Sequence, residues 1–155
     1  MIAIGDKLPA FSLADQTGKK KKLADLTGRK GLVLYAYPKD NTSGCTLEGQ
    51  EFSAKLTAFR RRGYNVVGIS RDSVEAHCRF IDKQELRVGL LSDPDTELLQ
   101  AMGAWGEKKL YGRTSMGIIR STVVLSAKGK VLKTYPKVKA RGHAEQVFED
   151  LKELG

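Results

Sequence analysis

The residue whose setting most suggests chemistry is a cysteine, in the stretch YPKDNTSGCTLEGQEF at 37–52. Pro38, Asn41, Thr42, Ser43 and Gly44 are turn formers. Beyond them Phe52, Leu56 and Phe59 recur at i, i+4 and i+7, so an amphipathic helix is expected from 45 to about 62, closed by Gly63. Cys45 therefore falls at or near the first turn of a helix. Backbone N–H groups without intrahelical acceptors, together with the positive end of the helix dipole, favour a thiolate there, and the thiolate is the nucleophilic form. Position alone leaves a second reading open, an inert cysteine buried as a small apolar side chain. The other cysteine, Cys78, has neither zinc-ligand nor Cys-x-x-Cys spacing to Cys45. Free thiols or one transient disulfide are what remain. His77 and His143 show no triad or metal spacing and are given no catalytic role.

The elements around Cys45 form an alternating pattern. GLVLYAY (31–37) and YNVVGIS (64–70) are apolar runs of strand length. With the helix between them they make a β-α-β unit, whose crossover implies parallel strands. A second helix is expected from Ser73, with Asp72 or Ser73 as N-cap and Val74, Cys78 and Ile81 on one apolar stripe, which makes Cys78 at least partly buried. VGLLSD is a short third strand, and Asp93-Pro94 opens a helix over DTELLQAMGA. A polar, glycine-dotted segment covers 105–117, STVVLSAKGKVLKTY reads as a hairpin turning at Lys128-Gly129, and HAEQVFEDLKELG closes the chain as a helix with Val147, Leu151 and Leu154 inward. This order is similar to the thioredoxin fold, an α/β architecture with a central mixed sheet flanked by helices, in a single domain over residues 1–155.

The proline, threonine and cysteine stand as Pro38-x-x-x-Thr42-x-x-Cys45 directly after an apolar strand. This pattern resembles the active-site loop of the peroxiredoxins, and the longer match over YPKDNTSGCTLEGQEF resembles their bacterioferritin comigratory protein, or PrxQ, branch. GYNVVGISRDSVEAHCRFIDKQ, LLSDPD and WGEKKLYGRTSMGIIRSTVVL extend the resemblance over most of the chain. It implies a thiol peroxidase that reduces hydrogen peroxide or organic hydroperoxides, Cys45 attacking the O–O bond and becoming a sulfenic acid, with no metal, haem or flavin. Thr42, otherwise a turn residue or N-cap, would bond the peroxide or the sulfur. Pro38, otherwise a strand terminator, would wall the thiolate from water. Arg120, otherwise a surface arginine at a strand end, would use its planar, permanently charged guanidinium on both sulfur and peroxide. Glu48 would orient that arginine, or serve only as a first-turn acid.

The sequence departs from that pattern after the first step. The position five residues beyond Cys45, where many members of the branch carry a second cysteine, is Gln50. Cys78 is then the candidate resolving thiol, bonding Cys45 once the first turn of its helix unwinds. The alternatives are a one-cysteine cycle completed by an external thiol and a redox-sensing or chaperone-like role. Thioredoxin or a similar dithiol protein is the expected reductant, and the expected assembly is a monomer or weak dimer.

Composition excludes other classes. The net charge of +9 raises nucleic acid as a partner, but Lys19 to Lys22 lie in an apparent turn and the other basic residues are spread along the whole length with acidic neighbours. A solvated surface accounts for them, so no nucleic acid is expected; steep salt-dependent binding that survives loss of Cys45 would mark the alternative. No apolar run has the length to span a bilayer, no membrane partner is expected, and the N-terminus lacks signal-peptide features, which makes the cytoplasm the expected compartment.

Overall fold

A computed structural model describes residues 1–154; Gly155, the last residue of the expected closing helix, lies outside the described residues. The elements run β1 (Leu13–Ala14), β2 (Lys20–Lys21), α1 (Leu23–Leu26), β3 (Gly31–Ala36), α2 (Ser43–Arg61), β4 (Tyr64–Ser70), α3 (Val74–Gln84), β5 (Gly89–Ser92), α4 (Glu97–Ala101), β6 (Trp105–Leu110), β7 (Arg113–Ile118), β8 (Ser121–Ser126), β9 (Val131–Tyr135) and α5 (His143–Asp150), with a 3-10 turn at Leu151–Glu153. The main sheet has the order β5-β4-β3-β8-β9. β3 pairs parallel with β4, and β4 with β5, while β8 runs antiparallel to both β3 and β9, which makes the sheet mixed as expected.

Both faces of this sheet are covered, and the sequence of β3 shows why. Its side chains alternate, with Val33 and Tyr35 packing on one side against Phe52, Leu56 and Phe59 of α2, Phe80 of α3 and Val147 of α5. Leu32 and Leu34 pack on the other side against Leu98 and Leu99 of α4, Met102 and Leu8. A strand buried on both faces reads as a continuous apolar run, and all six residues of β3 are buried. The expected stripe of α2 is almost fully buried, at 0% exposure for Phe52, 1% for Leu56 and 0% for Phe59. Burying such side chains stabilises the fold by about 1.5–3 kcal/mol each. Gly63, at φ +92°, ends α2 in the left-handed conformation that an L side chain resists. Gly68 clears space in β4 for the Tyr35 ring, since a Cβ there would lie 2.7 Å from Tyr35 Cζ.

Three expectations change. The segment 105–117 is largely a β-hairpin, closed at its base by the Trp105–Ile118 pair and turned through Tyr111 and Gly112, both at positive φ. Its strands alternate weakly because Glu107, Lys109 and Thr114 to Met116 face solvent, so no buried face imprints a period of two. The helix after Pro94 begins later than expected, at Glu97, because Thr96 takes a left-handed φ of 61° and the Asp93 carboxylate accepts from the Leu99 N–H at 2.8 Å. On α3 the buried residues are His77 and Phe80, and Cys78 is exposed. The expected Val74–Cys78–Ile81 stripe is therefore rotated, because His77 finds internal hydrogen-bond partners and takes an inward position that hydropathy alone assigns to an apolar neighbour.

Candidate active site

Two elements deliver the charged part of the site. β3 ends at Ala36 and its chain passes through Tyr37, buried, and Pro38, half-buried, into a loop that becomes α2 at Ser43. Thr42 holds the N-cap position, but its side chain makes no capping bond; its hydroxyl donates instead to the Lys39 carbonyl at 2.8 Å. The first intrahelical bond is from the Thr46 N–H to the Thr42 carbonyl at 2.9 Å, so the amides of Ser43, Gly44 and Cys45 precede the ladder. Cys45 is buried at 2% exposure.

Arg120 reaches this turn because β8 is antiparallel to β3 with Ser121 opposite Ala36, which brings the start of β8 beside the exit of β3. One guanidinium nitrogen donates to Cys45 Sγ at 3.2 Å and the other to Glu48 Oε1 at 2.6 Å. Seventy-five residues of sequence separate the arginine from the cysteine. Glu48 is fully buried, and its Oε2 has no hydrogen-bond partner among the described residues. Burial raises the Glu48 carboxyl to about 7, against the pull of Arg120 in the opposite direction. Burial acts to lower Arg120, but Glu48 and Cys45 together outweigh it and hold the guanidinium above its ordinary value. Tyr35 lies beneath this turn, stacked on Phe52 with ring centroids 4.6 Å apart, and its hydroxyl is held far above its ordinary value, first by burial and then by Glu48 and Cys45.

The structure thus brings Cys45, Arg120 and Glu48 into direct contact, and sets Pro38 and Thr42 in the loop that enters their helix. Cys78 lies on α3, exposed, and both it and the buried Cys45 are free thiols. Two histidines are more engaged than their spacing suggested. His77 is buried and bonded to Asp40 and to the Leu91 carbonyl. His143, at the start of α5, meets the Thr122 hydroxyl at 2.7 Å, and burial, helped by the Arg120 charge, lowers its pKa to about 4, so it stays neutral near pH 7.

Residues 4–134 match the AhpC/TSA family. The chain belongs to that family. A putative peroxiredoxin of Mycobacterium tuberculosis is 47% identical over 147 residues, covering 95% of this chain and 93% of that protein. Among solved structures, a cysteine-to-serine mutant of Xylella fastidiosa PrxQ superposes with a TM-score of 0.92 at 38% identity, covering 99% of this chain and 98% of that one. The bacterioferritin comigratory protein of Xanthomonas campestris, whose structures concern alkyl peroxide reduction, gives 0.86 at 41% identity over 93% and 91% of the two chains. These relatives make the chain a peroxiredoxin of the Bcp/PrxQ kind with the thioredoxin-like fold, and they support a thiol peroxidase. No helix among the described residues is long and apolar enough to cross a membrane.

Proposed function

We propose that this peroxiredoxin reduces hydrogen peroxide and organic hydroperoxides through Cys45, and that Cys78 completes the cycle as an intramolecular resolving thiol. The observation that carries the first step is the Arg120 bridge, one charged group bonded at once to the cysteine sulfur and to a buried carboxyl. A guanidinium so placed can stabilise both a thiolate and the negative charge that develops as an O–O bond breaks. In that step Cys45 S⁻ attacks one peroxide oxygen, the O–O bond breaks, and the departing alkoxide or hydroxide takes a proton, leaving Cys45 sulfenic acid and an alcohol or water. Thr42 has its hydroxyl hydrogen committed to the Lys39 carbonyl, which leaves its lone pairs to accept from the peroxide O–H. The amides of Gly44 and Cys45 add donors at the head of the helix, Pro38 limits water at the loop, and Glu48 orients Arg120.

In the second step the Cys78 thiol attacks the Cys45 sulfenic sulfur, an S–S bond forms, the S–O bond breaks and water leaves. Because Cys45 is buried and Cys78 exposed, the first turn of α2 has to unwind before their Cα atoms come within about 7 Å. A dithiol protein such as thioredoxin then reduces the disulfide, in a cytoplasm that keeps both thiols available. The exposure of Cys78 favours as second reading a cycle in which an external thiol resolves Cys45. Loss of peroxidase turnover in Cys45→Ser tests the nucleophile, and full turnover in that variant would refute it. Intact mass after one equivalent of peroxide separates the two cycles: loss of two hydrogens marks the internal disulfide, and a retained oxygen on Cys45 marks the external route.

A further inference from the structure

The loop that feeds Cys45 is tied to α3 by buried polar groups that the peroxide step does not use. Asp40 is 8% exposed and His77 fully buried. His77 Nδ1 lies 2.7 Å from Asp40 Oδ2, and the Tyr37 hydroxyl donates to the other Asp40 oxygen at 2.6 Å. His77 Nε2 lies 2.9 Å from the Leu91 carbonyl, which can only accept, so that nitrogen carries a hydrogen. The Asp40 N–H donates to Asp72 at the entrance to α3, and Asp72 also accepts from Ser70. Asp40 is five residues before Cys45, and His77 is the residue before Cys78. The ligand atoms of Asp40, Asp72 and His77 lie within 4.8 Å of one another, a spacing that their mutual hydrogen bonds explain without an ion.

We propose that Asp40 and His77 are positioning residues, a buried latch that fastens the Cys45 loop to the Cys78 helix so that the two cysteine-bearing segments open together. Resting on the resolving role of Cys78, the latch sets how often the closed pocket gives way to the conformation in which the two sulfurs meet. A broken contact leaves one polar group buried without its partner, which penalises the closed form and leaves the opened form, where water serves both groups, unaffected.

The test is amide hydrogen exchange on the reduced protein, comparing wild type with Asp40→Asn and His77→Gln, so that either variant can serve if the other does not fold. Exchange about tenfold faster over 43–49 and over 74–78 together, with β3, β8 and α5 unchanged, is the expected result. Acceleration confined to the loop at 39–42, or spread across the sheet, overturns the latch. Ser73→Ala, which removes the bond from the Ala76 N–H to the Ser73 hydroxyl and weakens α3 without touching Asp40, is the control. The same joint opening in that control overturns the proposal as general loosening. Rapid-quench mass measurements on the same variants read the chemistry separately, with disulfide formation accelerated about tenfold and the preceding peroxide step not accelerated. If wild type retains an oxygen and never loses two hydrogens, Cys78 is not resolving, and the exchange data alone decide the latch.

Discussion

Replacing Glu48 with glutamine turns one buried atom into a measurement. Glu48 is fully enclosed, with one carboxyl oxygen on Arg120 at 2.6 Å and the other without a partner, and burial raises it from 4.5 to about 7. That difference corresponds to about 3 kcal/mol of penalty on the ionised form. Between pH 4.5 and 7 the folded protein retains a proton that the unfolded chain releases, so the stability tied to this group is fully present below 4.5 and lost as pH rises through 7. Glutamine has no proton to lose. Urea unfolding under reducing conditions at pH 5, 6.5 and 8 then shows Glu48→Gln gaining on wild type with rising pH, by up to about 3 kcal/mol, a midpoint change of roughly 1.5 M for a domain of ordinary urea sensitivity. Peroxidase activity moves the other way. At pH 8, where wild-type Glu48 is ionised, the neutral amide oxygen accepts more weakly than the carboxylate, so Arg120 is held less firmly on the sulfur and the rate with peroxide falls about tenfold. A gap between variant and wild type that is the same at pH 5 and pH 8 would refute the reasoning, because Glu48 would then keep one protonation state throughout.

Two further substitutions separate stability from function. In Gly44→Ala the added methyl would lie 3.0 Å from the Arg120 nitrogen that contacts the sulfur; the guanidinium gives way, the peroxide rate constant falls about tenfold, and melting temperature holds or rises because alanine favours a helix by up to about 1 kcal/mol. In His143→Gln the fall in melting temperature between pH 7 and pH 4 shrinks: the folded pKa of about 4 lies below the unfolded 6.5, so wild type holds this stability above 6.5 and loses up to about 3 kcal/mol of it as pH drops through 4, whereas glutamine does not titrate.

What could be read in the sequence was whatever left a local mark. The two-sided burial of β3 appears as an unbroken apolar run, the inward face of α2 as Phe52, Leu56 and Phe59, and the end of α2 as Gly63. Cys45 after a turn-rich loop announced a helix head, yet Arg120 and Glu48 joined it only through resemblance, since nothing local in GIIRSTVVL says that antiparallel pairing of β8 returns the chain to β3. The orientation of α3 is hidden for a related reason: hydropathy ranks cysteine above histidine for burial, and only the distant Asp40 and Leu91 make His77 the better-satisfied buried residue. A signal was present, since Asp40 and His77 both stand next to cysteine-bearing segments, but two polar residues 37 apart carry no periodicity that links them. The β6–β7 hairpin leaves no mark in the sequence because a largely solvent-facing ribbon has no pattern to display.

That ribbon has a consequence for how the chain can vary. Its base is pinned twice, by the Trp105–Ile118 pair and by the Ile119 N–H bonded to the Ala104 carbonyl at 2.7 Å, immediately before Arg120. Material added or removed at the Tyr111-Gly112 tip is therefore mechanically isolated from the guanidinium that holds Cys45. The hairpin acts as a closed bracket in the sequence, a place where length and surface chemistry can be rewritten in matched strand pairs while the start of β8 keeps its address.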